Sequence, residues 1–146
     1  MLTDSDLQTK LTNNFKLFEF IHSDIAWASF IIRFEQLCCT KEVLSNLRLV
    51  AQVLQDVRDS LEIPIYVNSG FRSYALNKKL RDLGYGASPS SKHLVGRAAD
   101  VRGKTAVETR KIWNLLKKHK SVDVAHSYCK TTSKSTYIHF QLLPDA

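Results

Sequence analysis

Between Lys41 and Leu61, the apolar residues Val43, Leu44, Leu47, Val50, Val53, Leu54, Val57 and Leu61 recur at steps of three and four. That spacing lays one apolar stripe along a helix, with Thr40 as its N-cap and Pro64 as its stop. Ile65-Tyr66-Val67 then reads as a buried strand running into Asn68-Ser69-Gly70. A short helix is predicted over Tyr74 to Leu83, a strand over Ala98 to Val101, and a second amphipathic helix over Ala106 to His119. Val122 to Cys129 and Thr136 to Leu142 read as the two strands of a hairpin joined by the polar stretch Lys130 to Ser135. The small residues and breakers from Gly84 to Ser91 carry no hydrophobic period and predict an exposed loop.

Upstream, Asn14 to Phe34 is dense in Phe, Leu, Ile and Trp, so this segment must pack onto something. A helix around Leu17 to Ser23, followed by irregular or helical structure, suits it. The order of elements implies an α+β fold: a small, mostly antiparallel sheet with helices packed on one side. A length of 146 residues fits a single domain, 1–146, with residues 1–13 as an N-terminal extension.

Composition narrows this only slightly. Hydrophobic residues make up 44% of the chain and charged residues 24%, which are values of a globular protein. No apolar run approaches the roughly 20 residues that span a bilayer, so a soluble protein without a transmembrane segment is expected. The polar, acidic start Met1-Leu2-Thr3-Asp4 is unlike a signal peptide, so synthesis in the cytoplasm is expected. Cys38, Cys39 and Cys129 cannot all pair within one chain and lack zinc-site spacing, so reduced, mostly buried thiols are expected. The net charge of +7 favours anionic partners. No base-reading or stacking motif accompanies that charge, so no specific nucleic acid is expected, and the chain is taken as a monomer.

The candidate chemistry starts at His93 and Asp100, seven residues apart with Gly96 between them. On one helix their backbones would stand about 10 Å apart, and on one strand about 23 Å. Neither brings two donors onto one ion, so the chain must bend between them, and Gly96 permits the bend. A catalytic zinc takes three protein ligands. His139 is the best third, because Tyr137-Ile138-His139-Phe140 alternates as a strand and sets His139 opposite Ile138 and Phe140.

Ser69-Gly70-Phe71-Arg72-Ser73, Asn77, Ser91-x-His93-x-x-Gly96-x-Ala98-x-Asp100 and Tyr137-Ile138-His139 together resemble the zinc D-alanyl-D-alanine carboxypeptidase family. Its fold is shared with the hedgehog signalling domain. More narrowly, the motifs are similar to the branch of small zinc carboxypeptidases, phage endolysins and other wall-peptide hydrolases. Phe15-Lys16-Leu17-Phe18-Glu19-Phe20 followed by Ser23 is similar to the family's opening segment, so the resemblance runs from about Phe15 to Leu142. It implies zinc held by His93, Asp100 and His139. It also implies that Arg72 binds substrate and steadies the oxyanion at the scissile carbonyl. Ser69 and Ser91 read as turn caps or orienting groups.

One position departs from the pattern. Many members of the family place Glu or Asp three residues before the last His as general base, and here Thr136 stands there. Substitutes are His126, Tyr128, Tyr137 and Asp123, with His126 ranked first. The resemblance thus implies a zinc metallopeptidase acting on peptidoglycan peptide, at a D-Ala-containing stem or cross-link; without a signal peptide, a phage-type lysin, a virion-associated enzyme or a cytoplasmic enzyme is expected. The alternative is a catalytically inactive zinc-binding module of the same fold, acting as a structural or wall-binding protein.

Overall fold

The computed structural model describes residues 1–129 and 136–146, and its elements follow the chain closely. Helix α1 (Asp4–Leu7) leads into a two-stranded hairpin of β1 (Lys10–Thr12) and β2 (Phe15–Lys16). Residues 1–13, expected as an extension, therefore fold onto the domain, and Leu7 sits in the core. Three short helices follow: α2 (Leu17–Ile21), α3 (Asp24–Trp27) and α4 (Phe30–Leu37). The serines Ser23 and Ser29 cap the second and third of these, accepting from Ala26 N and Ile32 N.

Helix α5 (Lys41–Leu61) has the predicted limits, and the Thr40 hydroxyl accepts from Val43 N as its cap. Its apolar stripe is buried along its length; full burial of a side chain such as Leu47 or Leu54 stabilises by roughly 1.5–3 kcal/mol. Strand β3 (Tyr66–Ser69), helix α6 (Tyr74–Asp82), a single 3-10 turn (Lys92–Val95), strand β4 (Ala98–Arg102) and helix α7 (Ala106–Leu116) come next. Strands β5 (Val122–Cys129) and β6 (Thr136–Leu142) complete the fold, while the expected loop Lys130 to Ser135 lies outside the described residues.

The main sheet is antiparallel throughout, in the order β3-β4-β6-β5. Side chains alternate across it. Val101, Ile138 and Phe140 point into the core with Val50 and Leu54 of α5 and Ile112 and Leu116 of α7, so helices cover that face. The α+β class is as expected. The opposite face is left to carry polar side chains, and in register Asp100 stands beside His139, which stands beside His126.

Two expectations fail locally. Cys38 is exposed rather than buried, Cys39 is half-buried, and the thiol of Cys129 lies outside the described residues. Phe30, Ile31 and Phe34 of α4, from a segment that had to pack onto something, are exposed in the single chain. Among the described residues no helix is long and apolar enough to cross a membrane.

Candidate metal centre

His93, Asp100 and His139 reach one point from three elements. The 3-10 turn carries His93, with Ser91 as its cap accepting from His93 N. Gly96 ends the turn at φ 73°, the left-handed conformation that reverses the chain into β4, where Asp100 sits. A side chain there would also collide with α5, since a Cβ on Gly96 would lie 3.0 Å from the Val43 carbonyl oxygen. Asn46 of α5 anchors the same turn by donating to the Val95 carbonyl. His139 arrives from β6 directly across from Asp100.

The three donor atoms lie within 4.8 Å of one another. His93 Nε2 stands 3.2 Å and His139 Nδ1 2.8 Å from the same oxygen, Asp100 Oδ1. Ligands on a tetrahedral zinc at about 2.1 Å are separated by about 3.4 Å, so the set has close to the right span.

Hydrogen bonding supplies a second test. His93 Nδ1 is 2.6 Å from the Gly70 carbonyl, which only accepts, so that nitrogen carries the proton. In the neutral imidazole the Nε2 lone pair then faces a carboxylate oxygen, an arrangement that needs a cation or a proton between them. A borderline cation with N and O ligands fits, and the two imidazoles with one carboxylate are a zinc donor set.

Arg72 holds the other side of the carboxylate, donating from Nη2 to Asp100 Oδ2 at 2.8 Å and from Nε to Ser69 Oγ at 3.1 Å. Burial alone would push the Asp100 pKa up. Hydrogen bonds from His139 and His93 and the Arg72 charge outweigh it and hold the carboxyl well below the usual range. Burial lowers the pKa of His139, but its hydrogen bond to Asp100 and that carboxylate's charge raise it more. Burial lowers the pKa of Arg72 as well, and Asp100 partly offsets this.

Two uncharged side chains that the sequence reading passed over set this geometry. Gln141, two residues after His139 on the same face of β6, has Oε1 3.3 Å from His139 Nε2. It accepts that proton and leaves the Nδ1 lone pair for the centre. Gln36 of α4 is fully buried, donates to the Ile21 and Phe71 carbonyls and accepts from Ser73 N. It thereby clamps the segment that carries the Gly70 carbonyl and Arg72. An i, i+2 polar pair on a strand was visible for Gln141; nothing in the sequence marks Gln36 apart from other glutamines.

The substitutes for the absent carboxylate are separated by the register. Thr136 belongs with Ile138 and Phe140 on the face away from His139, so a carboxylate there would not face the centre. His126 stands opposite His139 and is exposed on β5, the edge strand. Tyr128 and Tyr137 pair across the hairpin on that same face, with rings stacked at 5.0 Å and 16°. Asp123 is exposed at the irregular start of β5. Burial and the Asp100 charge raise the pKa of the Tyr137 phenol, keeping it a proton carrier at neutral pH.

The centre opens into two clefts that share Arg72, Tyr85, Gly86, Ala87, Asp100 and Tyr137. One, of about 1090 Å³, runs past Phe18, Ile25, Val67, Leu76 and Leu80. The other, of about 350 Å³, runs past Ser88, Ser91, Tyr128 and Gln141. The predicted loop from Gly84 to Ser91 forms their common wall and is tied to α6 by Asn77, which donates to the Ser88 carbonyl. His126 lies outside the lining of both.

Among curated proteins, none matches the chain. The solved structure of Serratia marcescens L-Ala D-Glu endopeptidase ChiX is similar at a TM-score of 0.47 and 21% identity, covering 72% of this chain and 89% of that one. The model of the Peptidase M15 family matches residues 13–141, which include all three donors, Arg72 and Gln141. That family is zinc-dependent, in agreement with the donor set. With nearly its whole length matched, the chain belongs to the peptidase M15 family.

Proposed function

We propose that this protein is a zinc metallopeptidase that hydrolyses a peptide bond in bacterial peptidoglycan, with His93, Asp100 and His139 as the metal ligands. The observation that carries the reading is the convergence of these donors in the wall of the smaller cleft, where Asp100 also borders the larger one. Zinc, when bound, supplies Lewis-acid polarisation of the scissile carbonyl and acidification of water.

The chain's own side chains do the rest. Arg72 is fixed by Ser69 and Asp100, and its remaining N–H groups line both clefts, ready to donate to a carboxylate of the wall peptide or to the developing oxyanion. Space on both sides of the centre suits a bond inside a stem or cross-link, D-Ala-containing bonds included. The charge of +7 favours approach to the anionic wall. We assign His126 as the proton acceptor, because it shares the face of His139.

The test is digestion of purified peptidoglycan by the zinc-loaded protein, with new amino termini labelled and the products identified by mass spectrometry. Release of peptide fragments is expected, together with an acid limb of the pH–rate profile that changes in His126→Gln. A folded, zinc-loaded protein that releases nothing over a wide pH range sinks the peptidase reading.

Among the described residues Asp100, itself a metal ligand, is the one carboxylate in the lining of the smaller cleft, which favours a second reading, a zinc-binding module that holds wall peptide without cutting it. Co-sedimentation with intact peptidoglycan and no new amino termini is its signature.

A further inference from the structure

Helix α4 has two unlike sides. One buries Gln36 against the metal centre's supporting segment, while the other carries Phe30, Ile31 and Phe34 at 84%, 71% and 50% exposure. These three lie within an arc of about 100° on the helix, so they form one ridge. Tyr74, at the start of α6 and 67% exposed, extends it. Phe34 and Tyr74 also wall a cleft of about 360 Å³ floored by Phe71 and Leu94. The patch therefore has a protruding knob, Phe30, and an open hole on the same surface.

We propose that this face joins two copies of the chain in a symmetric dimer. In a two-fold dimer the same patch meets itself, so knob and hole must both be present on one copy, as they are here. An antiparallel crossing of the two α4 helices sets the Phe30 end of one against the Phe34 to Cys38 end of the other. That is where the cleft opens.

The area agrees. At roughly 200 Å² per aromatic side chain the patch offers about 500 Å² per copy, or about 1000 Å² in total, the size at which specific interfaces begin. The one cation of α4, Arg33, is drawn off the ridge, its guanidinium 5.1 Å from the Trp27 ring centroid. Glu35, which also lines the cleft, is turned toward α6, its Oε1 accepting from Ala75 N, so the ridge itself is apolar, and the +7 charge on each copy opposes contact. Salt relieves that repulsion, so dimerisation strengthens with ionic strength.

Sedimentation equilibrium of the whole protein tests this. Twice the 16.6 kDa chain mass is expected at micromolar concentrations, rising in dimer fraction with added salt. Phe30→Asp and, separately, Tyr74→Ala return the chain to one copy with an unchanged circular dichroism spectrum, whereas Val107→Asp, at an exposed apolar site on α7, leaves the dimer intact. The proposal is overturned by a wild-type chain that stays single at every concentration. It is equally overturned by a dimer indifferent to Phe30→Asp and Tyr74→Ala, or by one that salt dissociates. A single-copy protein that binds lipid vesicles through Phe30 assigns the ridge to a membrane surface and also overturns it.

Discussion

Replacing Gln141 with Leu removes the acceptor for the His139 Nε2 proton while keeping the side chain's bulk. The tautomer that aims Nδ1 at the centre loses its support, and zinc affinity falls about 10- to 100-fold, as for other outer partners of metal-bound histidines. Competition with a chromophoric chelator reads this directly; unchanged affinity would mean that Gln141 orients nothing. Far from the centre, Asp56 pairs with His119 at 2.8 Å. Burial raises the Asp56 pKa, but hydrogen bonds from His119 and Gln52 lower it further, leaving it below the ordinary value. A depressed acid pKa contributes stability at pH values above the unfolded pKa and loses it as pH falls through the folded one. In His119→Ala, Asp56 titrates at higher pH by carbon-detected NMR, and the variant's stability deficit shrinks in acid. These pairings join residues 39 and 63 positions apart for Asp100–His139 and Asp56–His119, so no local pattern announces them.

At the level of elements, periodicity was a sound guide where a segment had one solvent face and one core face. The apolar stripe and Thr40 determined α5, and alternation determined β6 and hence the face on which His139 stands. Short elements were less legible. The capping box of Thr3 and Asp6 starts α1 and brings Leu7 into the core, although residues 1–13 carry too few apolar positions to show a period. The bend at Gly96 is where local and long-range demands meet. Gly96→Ala requires a left-handed backbone and a Cβ pressed against Val43, and is expected to cost about 1–3 kcal/mol in urea unfolding. Because the same bend sets the His93 to Asp100 distance, its zinc affinity falls too. A variant with full stability and full affinity would show that the turn tolerates a side chain.

For the molecule as a whole, the centre ties the 3-10 turn, β4 and β6 together, so zinc links sequence-distant parts of the fold. An ion that binds only the folded chain adds about 2.7 kcal/mol at 100 times its dissociation constant. Calorimetry is expected to show a melting temperature that rises with zinc, falls back on chelation, and does not respond in Asp100→Ala. A zinc response that survives Asp100→Ala places the ion elsewhere.

By itself the sequence determined which residues are chemically able to bind a metal, that the chain must bend at Gly96, and most of the helix and strand limits, because periodicity, capping and ligand chemistry are local properties. It also carried the motifs of the family to which the chain belongs. Only the tertiary structure decided that His126 stands opposite His139, that Gln36 and Gln141 orient the centre, and that α4 leaves Phe30, Ile31 and Phe34 in solvent. Strand register, the direction of a side chain and the covering of an apolar ridge depend on partners many residues away, and those are chosen by packing.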